Sequence, residues 1–181
     1  MIAKCKMCLC IIGTVLICML AGCASQKSPY VADATRKALR QAGLKDVSVS
    51  QDRTNGVVTL GGSVPNDAAK GQAESIAKGL AGAQVVANQI AVVPPNGGHD
   101  ARTLYASLDK AIQNNLDAAL IQNKIPGSIR HATTNGVVTL SGTVDSQMAR
   151  DEAQQLASSV PNVQQVVNEL QIKDQKATST N

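Results

Sequence analysis

The groups in this chain best suited to metal binding or nucleophilic attack are the thiols of Cys5, Cys8, Cys10, Cys18 and Cys23 and the imidazoles of His99 and His131. The spacing Cys5-x-x-Cys8-x-Cys10 is that of thiolate ligands, but a closed cage takes about four ligands, and these cysteines lie in a segment built to be removed. Residues 1–22 have a cationic start (Lys4, Lys6), an apolar run through Ile11, Ile12, Val15, Leu16 and Ile17, and then Leu20-Ala21-Gly22 before Cys23. That is the layout of a secretory signal. The run is short of the roughly 20 apolar residues that span a bilayer. Only Cys23 lies beyond this signal layout, so no metal cage and no internal disulfide is expected in the exported chain. His99 falls in a linker and His131 in a predicted strand, neither with sequence neighbours typical of a metal or nucleophile site. His131 is expected to be an exposed strand residue. A non-enzymatic chain without cofactor or metal is the expectation.

The ending Leu20-Ala21-Gly22-Cys23 resembles the lipobox of bacterial lipoproteins. The resemblance implies that Cys23 is lipidated and becomes the first residue. The presence of Ala24 rather than Asp after it implies an outer-membrane location on the periplasmic face. Each buried acyl methylene contributes about 0.8 kcal/mol, so two or more chains make a stable anchor. Between Cys23 and Val31 an extended chain reaches at most about 30 Å, which holds the first folded unit against the bilayer.

Charge is unevenly placed. The chain carries 17 Lys and Arg against 13 Asp and Glu, for a net charge of +4. The excess lies in residues 27–93, whereas residues 101–173 are balanced. Arg36, Lys37 and Arg40 fall within about one helical turn, and Lys45 comes shortly after. A basic residue near an anionic bilayer contributes on the order of 1 kcal/mol, so these four are the candidate lipid-headgroup site, with phosphatidylglycerol or cardiolipin as the expected partners. Nucleic acid is not an expected partner, because the net charge is modest and only Tyr30 and Tyr105 could stack on bases.

The elements that position these residues are written twice. Thr54-Asn55-Gly56-Val57-Val58-Thr59-Leu60 recurs letter for letter as Thr134-Asn135-Gly136-Val137-Val138-Thr139-Leu140, at an offset of 80. Features shared by both copies are therefore read as scaffold. In the first copy, a helix is predicted to open near Pro29 and to carry Val31, Ala34, Thr35, Ala38, Leu39 and Ala42 on one side until Gly43. Strands over 47–53 and 57–64 flank Asn55-Gly56, the signal of a type I′ hairpin turn. Val58, Leu60, Gly62 and Val64 share the inner face, where Gly62 would let a helix approach. A second helix starts at Pro65-Asn66-Asp67, with Ala69, Ala73, Ile76, Ala77 and Leu80 as its stripe. A strand over 84–93 puts Val86, Asn88, Ile90 and Val92 on one face. The second copy repeats this order, with Ile112, Leu116, Ala119 and Leu120 on a helix beginning as early as Ala101, and a first strand over 129–132. Asn88 and Asn168 recur, which marks them as structural hydrogen-bonding groups rather than catalytic ones. The expected class is α+β: two tandem αββαβ domains, each a three-stranded mixed sheet packed on two helices. Their boundaries are read as 29–93 and 101–173, after a tether at 23–28, with a linker at 94–100 and a disordered tail at 174–181. The aliphatic core of each small unit is marginal alone, so the copies are expected to pack together through Leu104, Tyr105 and Leu108.

Residues 56–64 with Val86 to Val92, and 136–144 with Val166 to Ile172, resemble the BON domain (bacterial OsmY and nodulation). Two such domains behind a lipobox are similar to dual-BON outer-membrane lipoproteins. The resemblance implies binding of anionic phospholipid and support of envelope integrity under stress. It also implies lipid contact through the first helix of the second domain, assisted by an aromatic residue. Here that helix carries Asp109, Lys110, Asn114, Asn115 and Asp117 and no Trp; Tyr105 either replaces the aromatic anchor or fills the domain interface, with the interface preferred. The alternative function is a periplasmic protein-binding adaptor for outer-membrane assembly or cell-wall remodelling, using exposed sheet edges.

Overall fold

The computed structural model describes residues 27–95 and 98–173, without the side chains of Gly98 and His99. The expectations for the signal, Cys23 and the tail lie outside the described residues. The first domain runs α1 (Ala32–Gln41), β1 (Val47–Asp52), β2 (Val57–Val64), α2 (Asp67–Ala81), β3 (Val85–Asn88) and β4 (Ala91–Val92). The second runs α3 (Gly98–Asn123), β5 (Gly127–Thr134), β6 (Val137–Val144), α4 (Gln147–Ser159) and β7 (Gln165–Ile172). β1 and β2 pair antiparallel, while β3 and β4 run parallel to β2 in succession. The order β5-β6-β7 repeats this with an unbroken last strand. The fold is α+β, in two tandem units.

Each core lies between the helices and one face of the sheet. Val58, Leu60 and Val64 meet Leu39, Ala73, Ala77 and Ile90 in the first; Val138, Leu140 and Val144 meet Ile112, Leu116, Ala153 and Ala157 in the second. Alanine at every fourth position of α2 and α4 lets these helices sit close to the sheet, which suits a core without Phe or Trp. Both helices have N-caps: the side chains of Asn66 and Ser146 accept from the amides of Ala69 and Ala149.

Several local expectations are corrected. The α1 helix begins at Ala32, not Pro29, because Gln51 on β1 accepts from the Val31 and Ala32 amides at 2.9 and 3.2 Å and so caps the helix there. Ala34 is exposed and Ala32 is buried in its place. The α3 helix starts at Gly98, so His99 falls in its first turn. Leu80 is 40% exposed while Ala81 completes the α2 stripe. The 84–93 strand is interrupted at Gln89 and Ile90, where the Gln89 carbonyl accepts from Asn135 Nδ2 of the other domain at 2.6 Å. The glycine of the inner face is approached by a strand and not by a helix: a Cβ on Gly62 (φ +93°) would stand 2.1 Å from the Asp46 carbonyl oxygen, and one on Gly142 (φ +113°) 2.1 Å from that of Ser128.

The domains pack on each other through the sheet faces turned away from the helices. Val57 and Ala87 meet Val137 and Val167, which are the same two positions of each copy. Gln165 donates to the Val86 carbonyl at 2.7 Å and accepts from the Asn88 amide at 3.1 Å, as a neighbouring strand would. Its side-chain amide thus covers part of the β3 edge.

Candidate functional site

The α1 helix is held by Gln51 at its start and by Thr35 Oγ1 donating to the Val31 carbonyl at 2.9 Å; it ends at Gln41, and beyond it Leu44 N donates back to Leu39 O at 2.9 Å. Leu39 and Thr35 face the core, leaving Asp33, Arg36, Lys37, Arg40 and Gln41 around a shallow groove of about 500 Å³. These cations are not equivalent. Arg36 is ion-paired with Asp33, and its Nη2 donates to the Val49 carbonyl of β1 at 3.1 Å. Its guanidinium is therefore committed to the protein. Lys37, Arg40 and Lys45 are exposed, and among the described residues no ion pair engages them.

The corresponding flank of the second domain, between α3 and β5, has another chemistry. Leu120, Ile121, Ile125 and Ile129 line a groove of about 550 Å³ with Asp117, Arg130 and His131 at its edge, and Ile121 is 74% exposed. His131 is not an exposed strand residue: its side chain is only 11% exposed, and Nε2 lies 2.7 Å from Asp117 Oδ1. Odd-numbered β5 side chains point beneath α3, which places the ring under the helix. Its Nδ1 is buried without a hydrogen-bond partner.

Leu104, Tyr105 and Leu108 do not act together. Leu104 is 59% exposed. The Tyr105 hydroxyl accepts from the Val92 amide of the first domain at 3.4 Å, so the aromatic ring belongs to the domain interface. Leu108 is half-buried and lines a small cleft with Val163 and Gln164.

The repeated asparagines make the same bonds in both copies. Asn88 Nδ2 donates to the Lys70 carbonyl and to Glu74 Oε2, and its Oδ1 accepts from Ile90 N. Asn168 repeats this with Arg150, Gln154 and Leu170. A side chain that ties the last strand to the second helix at the same position of both repeats is a shared device of construction. A family model for the BON domain matches residues 30–94 and again 108–174. The chain belongs to the BON domain family. It is 38% identical over 130 residues to Osmotically-inducible protein Y of Escherichia coli (strain K12), a match covering 71% of this chain and 62% of that relative. The C-terminal domain of CdsD, the structural protein of the type III secretion system of Chlamydia trachomatis, aligns over 78% of this chain and 67% of its own, with 12% identity and a TM-score of 0.33. A second CdsD structure aligns over 75% and 88%, with 13% identity and a TM-score of 0.29.

Electrostatics within the BON pair concentrate where the domains meet. Burial, with Asp52 nearby, raises the Glu169 carboxyl above its ordinary range. Asp52 is itself lowered by hydrogen bonds from the backbone amides of Asn55 and Thr54. Lys70 is lowered by burial, and its Nζ donates to Gln164 Oε1 of the second BON domain at 3.1 Å. Glu74 is lowered by its bonds to Lys78 and Asn88. Among the described residues no group of three or more His, Cys, Asp or Glu is placed to hold a metal ion, and no helix is long and apolar enough to cross a membrane. Sequence reasoning missed Gln51, Asp109, Gln165 and Glu169, which act across the chain. The only sequence signal at Glu169 and Gln165 is that they replace Gln89 and Val85 of the first copy.

Proposed function

We propose that this protein is a non-enzymatic, lipid-anchored protein of the outer membrane, facing the periplasm, whose first BON domain binds anionic phospholipid and which supports the envelope under stress. The observation that carries the reading is the set of three exposed cations, Lys37, Arg40 and Lys45, that no ion pair engages among the described residues, on the domain nearest the tether. Arg36 shapes the α1 face and contributes charge without leaving Asp33. Membership of the BON family and the likeness to an osmotically inducible relative favour the stress and envelope parts of the reading. Cys23, directly after Leu20-Ala21-Gly22, is the proposed lipidation site.

The test is co-sedimentation of residues 24–181 with phosphatidylglycerol or cardiolipin vesicles. At about 1 kcal/mol for each cation, replacing Lys37, Arg40 and Lys45 with Gln should weaken binding roughly 100-fold at low salt, and much less at high salt. Equal binding by both proteins would refute the site. A second reading, a periplasmic protein-binding adaptor, is favoured by the long edge strand β5 beside the apolar groove of Ile121, Ile125 and Ile129.

A further inference from the structure

Two clefts occupy matching positions in the BON domains, and among the described residues α3 narrows only one of them. In the second domain Gly136, Val163 and Gln164 face Tyr105, Leu108 and Ile112 of α3, leaving about 200 Å³. In the first, Gly56, Ala83 and Gln84 stand 80 residues earlier, but the opposite wall is Ser28, Pro29 and Val31, and about 450 Å³ stays open. The missing wall is the N-terminal extension that α3 has and the ten-residue α1 lacks. The surroundings are apolar: Leu80 and Val85 are 40% and 46% exposed, and Tyr30, next to Pro29, is 56% exposed. Leu80 and Val85 line the cleft and Tyr30 follows Pro29 of its wall, so three of the six exposed large apolar side chains among the described residues lie in it or next to it in sequence.

Ser28 and Pro29, near the start of the described residues, are clamped at the rim of this cleft. Ser28 N donates to the Arg53 carbonyl at 2.8 Å, and Arg53 Nε donates back to the Ser28 carbonyl at 2.7 Å. The Pro29 carbonyl accepts from Nε2 of Gln51 and of Gln84 at 2.7 and 3.2 Å. Cys23 lies five residues before Ser28, within about 18 Å of extended chain. A tyrosine, two aliphatic side chains and the exposed Lys27 and Arg53 make the mixture suited to the boundary between headgroups and acyl chains.

We propose that this cleft seats the first BON domain on the acyl boundary of the bilayer, with Tyr30, Leu80 and Val85 inserted and lipid chains occupying the space that α3 fills in the second domain. The proposal rests on the membrane-anchored reading above and adds an apolar contact formed by residues other than Lys37, Arg40 and Lys45.

Because the chain contains no Trp, a single introduced indole is an unambiguous reporter. Leu80→Trp, Val85→Trp and, as a control in the second domain, Met148→Trp are placed in the full-length exported protein. Each is mixed with phosphatidylglycerol–phosphatidylcholine vesicles brominated near the top of the acyl chains, after a thermal melt has checked the fold. The expected result is a blue shift and strong quenching at positions 80 and 85, with no change at 148. In residues 24–181, which lack the anchor, Leu80→Asp combined with Val85→Asp should weaken vesicle association roughly tenfold. Vesicle association with both reporters unquenched overturns the cleft assignment and leaves the lipid-binding reading intact. Shielding of positions 80 and 85 without lipid, accompanied by a dimer, assigns the cleft to a second copy and also overturns it. Failure to associate with vesicles at low salt refutes the membrane reading and the cleft with it.

Discussion

Residues 54–60 and 134–140 are identical, yet the hairpins they belong to close differently. In the second domain the ladder runs to Thr134 and Val137, so Asn135 (φ 49°) and Gly136 (φ 78°) alone form the turn, as the type I′ signal predicts. In the first it stops at Asp52 and Val57, and four residues make the connection, with Gly56 alone at positive φ. The two registers differ by two residues, which leaves every side chain on its proper face, so packing on the inner face does not choose between them. The neighbours do. Asp52 accepts from Thr54 N and Asn55 N at 2.8 and 3.1 Å and stabilises the wider loop; the matching position in the second copy is Ala132. There Asp109 of α3 accepts from Asn135 N and Gly136 N at 2.8 and 2.9 Å and clamps the tight turn. The same seven letters permit two turns, and one carboxylate in each domain selects between them.

The largest effect expected on this comparison is one that ignores it. Gly62 and Gly142 come after different turns but face the same obstruction, a carbonyl oxygen 2.1 Å from any Cβ. Gly62→Val and Gly142→Val should each destabilise their domain by roughly 4 kcal/mol or more through left-handed strain and backbone displacement. Chemical denaturation should then resolve the damaged domain melting first. Similar losses in both copies would make these glycines common scaffold; a tolerated valine in either would mean that the turn above it relieves the clash.

A second effect should separate the copies. Asp109→Ala removes two charge-assisted bonds from partly buried turn amides and should cost about 2–3 kcal/mol. Asp52→Ala acts on an exposed loop and should cost only about 0.5–1 kcal/mol. Urea denaturation of the two variants measures the ratio. Equal losses would refute the claim that α3 is what holds the second turn closed.

How far such features can be read from the letters depends on how far apart the partners lie. The inner faces of β2 and β6, the start of α2 at Asn66, and the structural role of Asn88 and Asn168 are legible, because periodicity, a cap residue and a repeated position are local or doubled signals. Gly62 is legible as a special position, but its neighbour is not: a missing Cβ reports that something comes close, without saying whether it is a helix or a strand. The start of α1 is misplaced because its cap, Gln51, lies twenty residues away on β1. The candidate site shows the same division. Four cations are visible in sequence, whereas the engagement of Arg36 by Asp33 and by the Val49 carbonyl is a product of α1 packing on β1. The domain interface is the least legible, since Gln165 meets backbone groups nearly eighty residues away.

The smallest expected effect lies at that interface, where the copies carry Gln89 and Glu169 at equivalent positions. Burial against the other domain and the nearby Asp52 raise the Glu169 carboxyl above the ordinary carboxylate range. Because its folded pKa exceeds its unfolded value, the native state binds more protons between the two, and the associated stability is present below the unfolded value and lost as pH rises through the folded one. The carboxylate therefore disfavours domain packing at neutral pH. Glu169→Gln installs the residue of the first copy, removes the like charge beside Asp52, and keeps an oxygen acceptor for Asn55 Nδ2, which lies 3.5 Å from Glu169 Oε2. It should raise the thermal midpoint at pH 7 by roughly a degree or two and flatten the dependence of stability on pH above the ordinary Glu range. Melting curves from about pH 4 to pH 8 decide the matter. A variant that is less stable at pH 7, or that retains the wild-type slope, would show that Glu169 remains hydrated and that its difference from Gln89 carries no cost at the interface.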